Sequence, residues 1–272
     1  MVTFGLFMNK DMGNFVNINN NWKAVNSCYC KVNGVWRKVN KACKNINGTW
    51  KCTSYGSQGI DPSNPEIGVY IYANDGLLYT SDSWNTSNNA NAVGIAVVTN
   101  ECKFVIDKSN ESNLKWSNGA RQIPNCTNFD DIFDSDSMED YNGVNNTNAI
   151  IEYYPSTQYA AAYCNSCSYT INNIVKKGYL GSISEWSKTI LYFNDIVSLM
   201  TKIGGEELII SEQTGGFVDE INFNAYWSST QSWNSRFNQK QAFYCSFYSN
   251  HPSYYYSGPM AQSRPVRPFY EL

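Results

Sequence analysis

"NAYWSSTQ", residues 224–231, decides how the C-terminal half of this chain is read. It opens a run of three strand-like segments, continued by "QAFYCSFYS" (241–249) and "RPVRPFYEL" (264–272). Just before them, "SISEWSKTILYFNDIVSLMTKIGG" (182–205) has a helical pattern. Ser182 or Ser184 can cap it, and Trp186, Ile190, Leu191, Phe193, Ile196, Val197, Met200 and Ile203 recur near helical spacing. Gly204–Gly205 ends it. A second helical stretch, "NTNAIIEYYPSTQYAAAYCNSC" (146–167), has Asn or Thr before its apolar run. Further upstream, "GVYIYANDGLLYTSD" (68–82) reads as a hairpin turning around Asn74–Gly76, and "AVGIAVVT" and "CKFVID" read as strands. Strands, then helices, then strands make an α+β fold.

The pieces "GYLGSISEW", "LMTKIGG", "YWSSTQ", "AFYCSF" and "RPVRPF", in that order, resemble the C-type-lectin-like domains of the DUF1566 and Fibrobacter-major-paralogous kind. "WNTSNNANAVGIAVVT" (84–99) and "DYNGVNNTNAII" (140–151) are similar to the upstream parts of Bacteroidales and phage versions. The resemblance covers about residues 65–272. It implies a C-type-lectin-like domain with Trp186 and Trp227 in its core. Gly181 stands where the family usually has proline, which is expected to loosen the helix start. The EPN, QPD and WND calcium motifs of animal lectins are absent, and the nearest string, Phe193–Asp195, falls inside the helix. The resemblance therefore implies a fold and not calcium-dependent sugar binding.

Residues 1–54 follow another rule. Trp22, Trp36 and Trp50 are fourteen apart, and their neighbours repeat with them. Ile18, Val32 and Ile46 share one position; Asn19, Asn33 and Asn47 the next; Asn20, Gly34 and Gly48 the third. Lys23, Arg37 and Lys51 follow the tryptophans. This is an internal repeat. Asn-Gly between alternating residues is a strong hairpin signal, so each unit reads as strand, tight turn, strand. A single hairpin is barely stable, whereas stacked hairpins can share a tryptophan ladder and have their edges covered by partner chains. Tandem "VNGVWRKV"-type repeats resemble those of bacteriophage tail, baseplate and fibre proteins. Cys28, Cys30, Cys43 and Cys52 lie in this stretch, but their spacing does not suit structural zinc, and they read as buried free thiols. The organisation is thus a small all-β module of stacked hairpin repeats (1–54), a linker (55–68) rich in Gly, Pro and Ser, and a C-type-lectin-like domain (69–272).

Charge supports the division. Residues 1–54 carry eight basic residues against one acid, Asp11, a balance of +7; the rest carries twelve against twenty-two, a balance of −10. The basic stretch has no recognisable nucleic-acid-binding scaffold and reads as a solvated or docking face. Residues 125–148 hold Asp130, Asp131, Asp134, Asp136, Glu139 and Asp140 without the order of a calcium loop, and read as a solvated loop or helix start. No stretch is long enough for a membrane helix, and "MVTFGLFMNKDMGNF" does not read as a signal peptide. Nine cysteines, an odd number, point to a reduced place of synthesis.

An enzyme is not expected. His251 is the only histidine and has no triad-like context. Ser228 and Ser229 lack a nucleophile elbow. Cys164 and Cys167 trail an Ala-rich helix instead of opening one, so a redox role is not expected. No phosphate loop or dinucleotide fingerprint occurs, and no cofactor or metal is expected.

Thirty-six asparagines, twenty tyrosines and only 16% charged residues give a composition like that of a binding surface, or of an AT-rich genome. In lectin-like folds the segment between "YWSST" and "RPVR" forms the ligand face. That resemblance nominates Trp233, Asn234, Arg236, Asn238, His251, Tyr254, Tyr255 and Tyr256 as ligand-binding residues. "SNHPSYYYSG" (249–258) reads as a surface loop bracketed by Pro252 and Gly258, and its tyrosines suit recognition or a subunit contact. The reading is a bacteriophage virion fibre or spike subunit, homotrimeric. It meets other virion proteins through residues 1–54 and a host-surface glycan or protein through its head, and it inserts in no membrane. The alternatives are a purely structural decoration and a Bacteroidales surface adhesin.

Overall fold

The computed structural model describes residues 59–109, 112–129, 139–210, 225–233, 238–247 and 256–272 in full. It describes the backbone alone of the strands within 15–54 and of residues 211, 234, 248, 254 and 255. The chain divides into two compact units, Met1–Gly59 and Ile60–Leu272.

Among its described residues the first unit contains six strands in three antiparallel pairs. They are β1 (Phe15–Ile18) with β2 (Asn21–Ala24), β3 (Cys28–Val32) with β4 (Val35–Val39), and β5 (Lys41–Ile46) with β6 (Thr49–Ser54). The closing pairs are Ile18↔Asn21, Val32↔Val35 and Ile46↔Thr49, so two residues separate the strands each time. Trp22, Trp36 and Trp50 take one register slot, opposite Asn17, Lys31 and Asn45. Each pair is a separate two-stranded sheet.

The second unit is α+β. Its first strands are β7 (Gly68–Ala73), β8 (Leu78–Tyr79), β9 (Ala92–Val98) and β10 (Lys103–Asp107). They join the later β15 (Tyr179–Leu180) and β21 (Pro268–Glu271) in one antiparallel sheet ordered β15-β21-β10-β9-β7-β8. Gly76, at φ +80°, makes the turn between β7 and β8. Segment 60–67 belongs to this unit, and Ile60 bridges Leu78.

The second sheet is built on β17 (Ala225–Asn234) and β18 (Gln239–Tyr248). β12 (Asn128–Phe129) runs parallel beside β17, while β16 (Ile210–Ser211) and β19 (Tyr254–Pro259) both pair with β18. β11 (Ser112–Lys115) pairs with β20 (Ser263–Val266), and β13 (Ser168–Ile171) with β14 (Ile174–Lys177).

Four α-helices occur among the described residues: α1 (Gly143–Tyr153), α2 (Ala160–Ser166), α3 (Ile183–Leu191) and α4 (Phe193–Lys202). Each helical stretch of the sequence is thus two helices. Pro155 follows α1, where a continued helix would lose a hydrogen bond and clash. α1 also starts earlier than expected, at Gly143, and Asn146 and Thr147 are buried within it instead of capping it. Between α3 and α4 the backbone leaves helical geometry at Tyr192, φ −107° and ψ 19°. The run Ile190-Leu191-Tyr192-Phe193 would point in every direction from a straight helix. The break lets Ile190, Tyr192 and Phe193 all pack on the core and leaves Leu191 exposed.

β17 and β18 are covered on both faces. On one side Tyr226, Cys245 and Phe247 join a core with Trp186 of α3, Ile196, Leu199 and Met200 of α4, and Ile71, Ile95, Phe104 and Phe269 of the six-stranded sheet. On the other, Trp227, Ala242 and Tyr244 meet Ile150 of α1, Ala160, Ala161 and Cys164 of α2, and Trp116, Met260 and Val266. Trp186 and Trp227 are both 0% exposed. Gly181, expected to loosen the start of α3, instead allows a close approach. A Cβ there would stand 2.8 Å from the Phe269 ring, and the next residue forms a complete capping box in which Ser182 and Glu185 satisfy each other's backbone N–H.

Candidate recognition surface

"YWSSTQ" is polar yet buried from Tyr226 to Gln231. A buried polar group must find a partner, and here the motif's side chains bond to neighbouring strands, to α1 and to distant loops. The Ser228 hydroxyl donates to Phe243 O at 3.0 Å, and Ser228 O receives the indole N–H of Trp116 at 2.9 Å. Gln231 accepts from Ile123 N at 2.7 Å and donates back to Ile123 O at 3.0 Å. The Thr230 hydroxyl donates to Asp140 Oδ2 at 2.6 Å and accepts from Ile183 N at 2.9 Å. Trp186 Nε1 donates to Trp227 O at 3.2 Å, and Trp227 Nε1 to Leu114 O at 3.0 Å.

Asp140 is the hub of this network, which corrects its reading as part of a solvated loop; α1 starts at Gly143, within the stretch read as a loop or helix start, and Asp130, Asp131, Asp134 and Asp136 lie outside the described residues. Asp140 is 0% exposed. Besides Thr230 it receives Asn146 Nδ2 at 2.8 Å, the Thr127 hydroxyl at 3.1 Å and Asn142 N at 3.0 Å. A carboxylate is acceptor-only, and these donors fill its lone pairs. Glu185 lies beside it, accepting from Ser182 N at 2.7 Å and from the Tyr179 hydroxyl at 2.8 Å. Burial pushes the Glu185 carboxyl up to about 7, against the pull of those hydrogen bonds and aided by the charge of Asp140. A Cβ on Gly143 would stand 2.4 Å from Glu185 Oε2, so the pair is closed over by backbone. Asp140 and Glu185 are 0% and 4% exposed, and their described hydrogen bonds all go to groups of the fold.

The arginines of "RPVRPF" are interior too. Arg267 is 0% exposed and donates to Asp107 O at 3.2 Å, Glu206 O at 2.9 Å and Glu207 O at 3.2 Å, tying the end of β10 to the segment after α4. The Arg264 guanidinium lies 3.7 Å from the Tyr244 ring centroid and 5.0 Å from that of Trp227. Gly258, read from sequence as a loop bracket, lies in β19 opposite Ala242, and a Cβ there would stand 3.0 Å from the Tyr244 ring.

Among the nominated ligand residues, Trp233 and Asn238 lie where β17 turns into β18. Trp233 is half-buried, and its cross-strand partner Lys240 brings Nζ to 5.9 Å from the indole centroid. Asn238 is exposed and left-handed, φ 51°, a conformation asparagine tolerates. Asn234 pairs with Gln239 through the backbone. Arg236 and His251 lie outside the described residues, as do Gly34, Gly48 and the side chains of Trp22, Trp36, Trp50 and the four N-terminal cysteines.

The tyrosine triplet is not a loop. Tyr254, Tyr255 and Tyr256 form the first half of β19, opposite Ser246, Cys245 and Tyr244. Of the three, only Tyr256 has a described side chain. The hydrogen-bonding capacity of β18 wins over the Pro, Ser and Gly signals around them. Tyr256 is 40% exposed, with its ring 5.9 Å from that of Tyr244. The sequence reading missed Lys240 and Tyr244, whose only signal is their register with Trp233 and Tyr256.

The described thiols are poorly suited to nucleophilic or redox work. Burial raises Cys164 well above its usual value, Cys126 to about 12 and Cys102 to about 11, and it also raises Cys167. Among the described residues no group of three or more His, Cys, Asp or Glu is arranged to hold a metal, and no helix is long and apolar enough to cross a membrane. Comparison with family models, with curated proteins and with solved structures finds no match.

Proposed function

We propose that this chain is a non-enzymatic fibre or spike subunit of a bacteriophage virion, whose larger unit is a C-type-lectin-like head that binds a host-surface glycan or protein. The observation that carries this reading is the division of polar and aromatic side chains between the β17–β19 sheet with the strands packed on it and the exposed turn and edge of that sheet. The "YWSSTQ" and "RPVRPF" groups are consumed internally, whereas Trp233, Asn238, Lys240 and Tyr256 keep accessible surface at the turn and edge of β17–β19. Aromatic faces beside amides and a cation suit stacking on sugar rings and hydrogen bonding to hydroxyls. The basic residues 1–54 fit a docking role towards other virion proteins, and paired short strands with open edges fit a homotrimer.

Binding of the purified full chain to host cells and to extracted surface glycans tests the reading. Trp233→Ala and Tyr256→Ala should each reduce binding at least severalfold with an unchanged melting temperature. Unchanged binding in both variants would overturn it.

One observation favours a second reading, a structural decoration. β19 pairs on one side with β18 and with no other strand among the described residues, and Tyr256 lies exposed on it. Such an edge suits a subunit contact. Light scattering separates the two: if Tyr256→Ala dissociates an oligomer before it weakens cell binding, the edge serves assembly.

A further inference from the structure

The third hairpin of the N-terminal unit differs from the other two at one register slot. Counting back from the turn, that slot holds Phe15↔Ala24 in the first hairpin and Tyr29↔Lys38 in the second. In the third it holds Cys43↔Cys52, a cysteine directly across from a cysteine. Cys28 and Cys30 face Val39 and Arg37 and have no such counterpart.

The kind of pair matters. When two residues connect the strands, the closing pair, here Ile46↔Thr49, is of the hydrogen-bonded type, and the types then alternate. Asn45↔Trp50 is therefore of the non-hydrogen-bonded type, Lys44↔Lys51 hydrogen-bonded, and Cys43↔Cys52 non-hydrogen-bonded. Non-hydrogen-bonded pairs bring Cα atoms to about 4.5 Å, within the roughly 4.4–6.8 Å that a disulfide spans. Hydrogen-bonded pairs stand about 5.5 Å apart, with their side chains farther from each other.

We propose that Cys43 and Cys52 are a disulfide site that closes the third hairpin covalently once the protein leaves a reducing compartment. This departs from their sequence reading as free thiols and does not depend on the proposed function. The oxidant is a small-molecule disulfide such as oxidised glutathione. One protein thiolate attacks it, forming a mixed disulfide and releasing one glutathione thiolate. The second protein thiolate then displaces the other. Two protein thiols lose two electrons and two protons, and one glutathione disulfide gains them as two thiols. The bond adds a staple to a two-stranded element that is otherwise marginal alone.

The test uses the full chain. Protein treated with oxidised glutathione is alkylated, cleaved with trypsin without reduction and weighed. Cleavage after Lys41, Lys44 and Lys51 should leave peptide 42–44 attached to the peptide that begins at Cys52, and reduction should separate them. Cys52→Ser should return Cys43 to the alkylated pool. Moving the pair one step, as Ala42→Cys with Thr53→Cys in a Cys43→Ser, Cys52→Ser background, should slow closure roughly tenfold, because that pair is of the hydrogen-bonded type. The proposal is overturned if Cys43 and Cys52 both stay alkylated after oxidation, if Cys43 links to another cysteine, or if the shifted pair closes as fast.

Discussion

Two cations meet aromatic rings of the β17–β18 sheet in opposite surroundings: Arg264 reaches it from the neighbouring strand β20, and Lys240 is part of it. Arg264 is 4% exposed, with its guanidinium over Tyr244 and Trp227. Lys240 reaches across to Trp233 at the turn between β17 and β18, and both are only half-buried. Six residues along β17, from Trp227 to Trp233, lead from the core to the surface. The comparison shows how one strand supplies both a fold and a face. Where α1, α2 and the β11–β20 pair cover the sheet, aromatic and polar groups are spent on each other. Where that cover ends, the same residue types keep accessible surface.

The sharpest way to break the comparison is to empty the inner site. Trp227→Ala removes a side chain that is 0% exposed and packed on two cores' shared sheet, and should cost about 3–5 kcal/mol. Thermal and denaturant unfolding measure it. A variant that melts with the parent would mean that the inner tryptophan is no more structural than the outer one.

Interior charge gives the next effect. Glu185 is pushed up to about 7 in the fold, above the usual carboxyl value near 4.5. A carboxyl raised on folding contributes stability that is full below its unfolded value and is lost as pH rises through its folded value. Stability should therefore fall between about pH 4.5 and 7 by on the order of 3 kcal/mol from this group. Glu185→Gln keeps an acceptor for Ser182 N and should flatten that part of the curve. An unchanged slope in the variant would assign the dependence to other groups.

Arg264→Lys sharpens the contrast between the two cations. A lysine keeps the charge but loses the planar stack on Tyr244 and the 2.8 Å donation to Gln262 Oε1, a loss of about 1–2 kcal/mol. If lysine serves equally well, planarity contributes nothing inside, and the inner and outer pairs are equivalent in kind.

The parts of this arrangement visible in sequence are those fixed by near neighbours. The Asn-Asn pair at 19–20 and the Asn-Gly pairs at 33–34 and 47–48 mark the hairpins of 15–54 in the sequence. Ser182 with Glu185 three residues on marks the start of α3. Strands β17, β18 and β21 carry enough aromatic residues to be recognised. What escaped was set at long range. Gln231 holds Ile123 across 108 positions, and Thr230 holds Asp140 across 90. Nothing local in an acidic, Asn-rich run marks Asp140 as a residue that goes inside. The tyrosines 254–256 read as a loop because Pro252, Ser253 and Gly258 surround them, yet pairing with β18 decides their conformation. Trp233 and Asn238 were legible as candidates from their position after the motif. Their neighbour Lys240 was not, because a cross-strand partner is known only once the register is known.

The smallest stability effect belongs to the outer pair, and it is the most informative. Trp233 and Lys240 are cross-strand partners with Nζ 5.9 Å from the indole centroid. Exposed pairs of this kind contribute about 0.5–1 kcal/mol, and solvent screens the charge. Trp233→Ala and Lys240→Ala should each lower stability by no more than about 1 kcal/mol, with a coupling below that in a double-mutant cycle. Binding should respond differently, since a few accessible aromatics commonly dominate recognition energy. Trp233→Ala should weaken attachment to host cells far more than it weakens the fold, and Lys240→Ala should do so most at low salt. If both variants lose stability and binding in proportion, the turn is a structural extension of the inner site. If stability holds and binding falls, the two ends of β17 have separate roles.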